Sequence, residues 1–260
     1  MNRPPRGREA VASARRPRAL ATAFIGVLCC FILAGCIGTD DDTDSGDYPL
    51  HTDIQATTFW VGEILDPDAS DGSQVISTYD SQWLDSYGGC DGVWIDDSCE
   101  TEERSAENDY FPSSMEPLQN PFYLDLPFDD VNNNKAFDMR DDVVPWAAES
   151  PYAENSGDPD FSYMKNRWVE ISRDDLTCYG QIQDAGPAVY NDYRYVFGDN
   201  DQRPESTRWN SAGLDVSPAL NACLEFDDLD MTQAVDWRFI NEEDVPDGPW
   251  TRIVTTSGVQ

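Results

Sequence analysis

Short runs of alternating apolar and polar residues dominate this chain, and long amphipathic stretches are nearly absent. Period-2 alternation bounded by Gly, Pro, Asn and Asp predicts strands. Six runs qualify: 56–65 (ATTFWVGEIL), 120–128 (NPFYLDLPF), 166–172 (NRWVEIS), 177–184 (TCYGQIQD), 212–217 (AGLDVS) and 234–240 (AVDWRFI). The run 251–257 (TRIVTTS) is expected to add an edge strand. One short helix is expected after the fifth run, in SPALNACLEF, where Ser217 is placed to cap and Pro218 suits the first turn. In TCYGQIQD the period puts Cys178, Gly180, Ile182 and Asp184 on one face, and in AVDWRFI it aligns Val235, Trp237 and Phe239. Such faces suit a small barrel filled by side chains.

The first residues carry a different pattern. Six arginines precede the apolar run ALATAFIGVLCCFILAG, which predicts an export signal. Leu33-Ala34-Gly35-Cys36 resembles the bacterial lipobox, which implies cleavage before Cys36 and lipidation of its thiol, palmitate included. Acyl chains would then hold the protein on a membrane, facing outside the cytoplasm, at roughly 0.8 kcal/mol per buried methylene. The expected organisation is a signal peptide at 1–35, an acidic flexible tether at 36–53, and one β-barrel domain at 54–260 with a loop-rich insertion at about 67–116.

Charge narrows the partners. Without residues 1–35, 11 Lys/Arg face 49 Asp/Glu, a net charge of about −38 with His neutral. Nucleic acid is excluded as a natural partner, because phosphate contacts need clustered cations. Neutral glycans, cationic ligands and divalent metals remain. Four cysteines are left for the exported part, Cys90, Cys99, Cys178 and Cys223, and three disulfide pairings are open to them. Cys90–Cys99 with Cys178–Cys223 is the favoured set, because the first closes a short acidic loop and the second ties distant segments. Neither C-x-x-C spacing nor a histidine beyond His51, assigned to the tether, supports zinc, so no metal and no cofactor are expected. Asp130-x-Asn132-x-Asn134 has partial calcium-loop spacing, but Lys135 stands where the turn glycine belongs, and an Asx-rich loop is expected instead.

The order of several local matches resembles the double-psi β-barrel of rare lipoprotein A, expansins and family-45 endoglucanases. LPF at 126–128, NRWVEISRDDLTCYGQIQDAGP, GLDVSPALNACLEF, VDWRFI and TTFWVGE each match a family motif, in family order, over 60–70 residues. The resemblance implies a mainly β fold, a six-stranded double-psi barrel with few short helices. It also implies that Asp184 and Asp215 flank a sugar groove. A carboxylate pair is what glycoside cleavage needs: one protonated group assists the leaving oxygen, and one ionised group activates water or steadies positive charge. The family's histidine before LPF is absent, Val61 stands where family-45 enzymes place a base, and the arginine of their NDRGP is missing from QDAGP. Glu63, two residues beyond Val61, is a candidate substitute, and Asp80 is another. Trp60, Tyr79, Trp83, Tyr179 and Trp209 lie near these segments and are candidate sugar-stacking rings. The expected function is therefore binding of cell-wall or other neutral glycan, peptidoglycan included, by a lipid-anchored envelope protein. Glycan cleavage through Asp184 and Asp215 is the first alternative, and a non-catalytic envelope scaffold the second.

Overall fold

A computed structural model of the protein describes residues 48–65, 74–229 and 231–260. The expected signal peptide, Cys36 and most of the expected tether lie outside the described residues. Among the described residues eight strands are present: β1 (His51–Thr58), β2 (Val93–Ile95), β3 (Ser98–Glu100), β4 (Tyr123–Asp125), β5 (Trp168–Arg173), β6 (Leu176–Asp184), β7 (Leu214–Val216) and β8 (Gln233–Ile240). Four short α-helices join them: α1 (Trp83–Tyr87), α2 (Asn134–Val143), α3 (Tyr193–Val196) and α4 (Pro218–Cys223).

Six strands close a barrel in the order β1-β7-β4-β6-β5-β8. The β1–β7 and β4–β6 pairs are parallel and the others antiparallel. This mixed closure, in which strands distant in sequence become neighbours, is compatible with a double-psi barrel. All six expected strand runs supply one barrel strand each. The alternation expected on β8 holds, with Val235, Trp237 and Phe239 buried inside. Ile54, Leu124, Ile171, Ile182 and Val216 meet them in one core, as expected for a small barrel whose interior side chains fill it.

Helix α4 begins as the sequence implies: Ser217 Oγ accepts from the Leu220 amide at 3.3 Å and Pro218 occupies the first turn. Both favoured disulfides form. Cys178–Cys223 fastens α4 to β6, and Cys90–Cys99 closes the base of the separate β2–β3 hairpin.

Three local expectations are corrected. Strand β1 starts at His51, so the histidine is a fully buried barrel residue and not part of a tether; its ring stacks on Trp237 with centroids 4.2 Å apart. The run 251–257 forms no strand, because its polar groups are taken by side chains: the Thr255 amide donates to Gln181 Oε1, and Gln181 Nε2 returns a bond to Thr255 O. The Asx-rich stretch is not only a loop. Asn133 caps α2 by accepting from the amides of Lys135 and Ala136, while Asp130 is buried and accepts from Ser162 Oγ at 2.7 Å and from the Tyr163 amide. Among the described residues no helix is long and apolar enough to cross a membrane.

Candidate functional site

The barrel register lines up four polar residues on four adjacent strands. Thr57 of β1 pairs with Asp215 of β7, Asp215 with Asp125 of β4, and Asp125 with Asp184 of β6. The preceding residues on three of these strands, Ala56, Leu214 and Leu124, are wholly buried in the core. Successive strand residues face opposite ways, so the polar row lies on the outer wall. One irregularity brings Asp184 into it. Between Leu124 and Asp125 the β4–β6 register shifts, so that Leu124 faces Ile182 but Asp125 faces Asp184, and Gln183 is the extra residue. Uninterrupted alternation would have kept Asp184 on the side of Ile182. A bulge re-aims a side chain in this way.

Asp184 and Asp215 therefore belong to one row, joined through Asp125, which sequence reasoning missed. The Asp215 amide donates to Asp125 Oδ1 at 3.1 Å, and the two carboxyls hydrogen-bond to each other. That contact raises the proton affinity of Asp125 and lowers that of Asp215. Gly186 lies directly on Asp125: a Cβ there would sit 2.4 Å from Asp125 Oδ2. Asp184 Oδ1 accepts from the amides of Thr78 (2.7 Å) and Ala185 (2.9 Å), which fixes its orientation. Thr57 Oγ1 donates to Asp215 Oδ1. The backbones of β6 and β7 are two strand spacings apart, roughly 9–10 Å.

These environments push proton affinity up. Burial raises the Asp125 carboxyl well above the usual range, and the negative charges of Asp215 and Asp184 raise it further. Asp215 is pushed up to about 8, first by desolvation and then by the charges of Glu63 and Asp184. Desolvation and like charge both disfavour the ionised form. Lys165, buried close to Asp80 and Asp184, is lowered to about 8 by burial, against the opposing pull of those two carboxylates. Tyr190 lies near the cluster, its hydroxyl raised by burial and by the charges of Asp125, Asp184 and Asp215.

Access is uneven. Asp125 and Asp184 are 3% and 7% exposed, whereas Asp215 and Glu63 are half-buried and Tyr190 is exposed. Of these acids, Asp215 and Glu63 keep residual exposure. Glu63 is held in a tight turn in which its amide donates to Trp60 O at 3.0 Å. Asp80 is buried, with one carboxyl oxygen taken by the Gln82 amide, and is not at the surface.

The five candidate rings separate. Tyr79 and Trp83 are 0% and 1% exposed; they are core side chains and offer no face to a sugar. Tyr179 packs on Trp250 at 5.0 Å and bonds Glu170, five residues along β6 from Asp184. Trp209 is exposed beside Arg208 on the segment before β7. Trp60 shares a turn with Glu63. Tyr190, not singled out from the sequence, is an exposed ring close to the acids; only its position three residues after Pro187 hinted at it. No group of His, Cys, Asp or Glu among the described residues has the arrangement to hold a metal ion, the carboxylate row included. Surface depressions at Asp53, Arg173 and Asp236, and at Phe111, Met115 and Arg252, share no residue with the row.

Comparison with known proteins finds no family model, no curated protein and no solved structure that matches this chain.

Proposed function

We propose that this is an exported, lipid-anchored envelope protein whose barrel, of the rare lipoprotein A, expansin and family-45 endoglucanase type, binds a neutral glycan and cleaves it by acid-assisted hydrolysis. The observation that carries the reading is the row in which the partly exposed Asp215 pairs with the buried Asp125, and Asp125 with Asp184; burial and the charges of Glu63 and Asp184 push the Asp215 carboxyl up to about 8. Strongly perturbed carboxyls at an accessible surface mark functional sites. In this reading Asp215 gives its proton to the glycosidic oxygen as the C–O bond breaks. Water adds to the sugar carbon and yields its own proton to Glu63, which lies near Asp215 at the accessible end of the row. Asp184 acts through Asp215 by holding its proton affinity up, and Asp125 fixes its place by accepting from the Asp215 amide. The acidic surface of the chain suits an uncharged polymer and repels an anionic one.

The test incubates the full chain with peptidoglycan, cellulose and chitin and measures release of new reducing ends. Removing a general acid costs about 10²–10⁴-fold, so Asp215→Asn is expected to lower release by at least about a hundredfold, and Glu63→Gln by a comparable factor. Product formation undiminished in Asp215→Asn would falsify the mechanism. Binding of one polymer by the wild type, with no product, would leave glycan binding as the function.

A further inference from the structure

The insertion between β1 and β4 carries a feature that the carboxylate row does not use. Hairpin β2–β3 presents Trp94 and Ile95 to solvent, 55% and 53% exposed. Large apolar side chains at a rigid, exposed tip signal a contact surface. This hairpin is rigid. At its base the Asp91 amide donates to Val61 O at 2.9 Å, Tyr123 Oη of β4 donates to Asp91 Oδ2 at 2.8 Å, and Arg104 Nη2 pairs with Asp91 Oδ1 at 2.7 Å in full burial. The Cys90–Cys99 disulfide closes it.

The same hairpin leans on the turn that holds Glu63. Trp60 Nε1 donates to Cys99 O at 2.8 Å, and Gly62 sits so close to Cys99 that a Cβ there would meet its Sγ at 2.8 Å. Trp94 is directly across from Cys99 in the β2–β3 ladder. Side chains directly opposite in an antiparallel pair share a face, with Cβ atoms roughly 4.5–5.5 Å apart. Cys99 Sγ points at the 60–63 turn, approaching Val61 O at 3.3 Å. Trp94 therefore lies on the face of the hairpin that meets the 60–63 turn, the turn that also holds Glu63.

We propose that Trp94, together with Trp60, forms a second saccharide subsite continuous with the carboxylate row, so that the ligand is a polymer spanning several sugar units. This rests on the glycan reading given above. A sugar's flat C–H face packs on an aromatic ring, and Trp60 in the Glu63 turn and the exposed Trp94 offer such surfaces. The neighbouring charges select the occupant. Asp96 and Asp97 form the turn immediately after Ile95, and the chain is strongly acidic. Anionic lipid is repelled by that tip, and a neutral glycan is not.

Calorimetric titration of the full chain with disaccharides and hexasaccharides of cellulose and chitin tests the subsite. Trp94→Ala is expected to weaken hexasaccharide binding about tenfold, a loss of roughly 1.4 kcal/mol, and to leave disaccharide binding unchanged. Trp94→Phe keeps a ring and is expected to restore most of the loss. Hexasaccharide binding that is unchanged in Trp94→Ala, or a loss equal for both lengths, overturns the subsite and leaves the carboxylate reading standing. A wild type that binds neither sugar at any length overturns both. Binding of phosphatidylglycerol vesicles that depends on Trp94 overturns the choice of a glycan.

Discussion

His51→Phe should make the protein less sensitive to acid, by an amount that the structure sets. The His51 ring is wholly inaccessible, stacked on Trp237 and edge-on to Tyr195, and neither ring nitrogen has a hydrogen-bond partner. Burial lowers its pKa from 6.5 to about 4, against the pull of Asp201; Arg203 lowers it further. Because the folded state disfavours the charged imidazole, the neutral ring's contribution to stability is intact above pH 6.5 and is lost progressively as pH falls to about 4. A tenfold change in proton affinity corresponds to about 1.36 kcal/mol, so charging this ring costs the folded state about 3 kcal/mol by pH 4. Phenylalanine keeps the stack and cannot be protonated. Urea midpoints of wild type and variant at pH 7 and pH 4 give four free energies. Their double difference cancels the carboxylates that titrate in both proteins. The expected value is about 3 kcal/mol in favour of the variant at pH 4. A double difference near zero would mean that the unfolded and folded states protonate this residue alike, and the burial argument would fail.

Two other outcomes follow from packing. Replacing Cys178 and Cys223 by alanine opens a link with a sequence separation of 45 residues, against 9 for Cys90–Cys99; chain-entropy scaling predicts a loss of about 4 kcal/mol for the first and about 2.6 kcal/mol for the second, to be read from urea midpoints of the two double variants, and equal losses would contradict it. Gly186→Ala forces a methyl group against Asp125 Oδ2, whose carboxyl is held by the Asp215 amide; a loss of about 1–3 kcal/mol is expected from overpacking, and an unchanged melting temperature would show that the Asp125 carboxyl is free to swing aside.

Much of the barrel was legible because its strands obey period 2 and end in turn residues. β8 and β6 matched their expected runs to within a residue, and Ser217 and Pro218 announced α4. β1 was misplaced towards its C-terminal end because the polar Thr52 and Asp53 follow the buried His51; their backbone and side-chain groups are satisfied across the barrel by Asp201 and Asp236, a long-range arrangement that no local pattern reveals. Asp184 and Asp215 were singled out through resemblance, and Asp125 was not, because Leu-Asp-Leu before a proline reads as ordinary alternation. Its role comes from strand neighbours 59 and 90 residues away. The rings failed for the converse reason: Tyr79 and Trp83 are close in sequence to site segments, but their apolar bulk is consumed by the interior.

The misaligned step between Leu124 and Asp125 also bears on how such a barrel changes over time. One surplus residue, Gln183, is taken up at that step, so that Asp184 stands opposite Asp125. Losing that residue would close the step into regular register and still leave Asp184 opposite Asp125, because the residue directly after Ile182 faces the other way. The acidic row thus survives deletion of the surplus residue, and its own side chains, not the step, decide whether it persists.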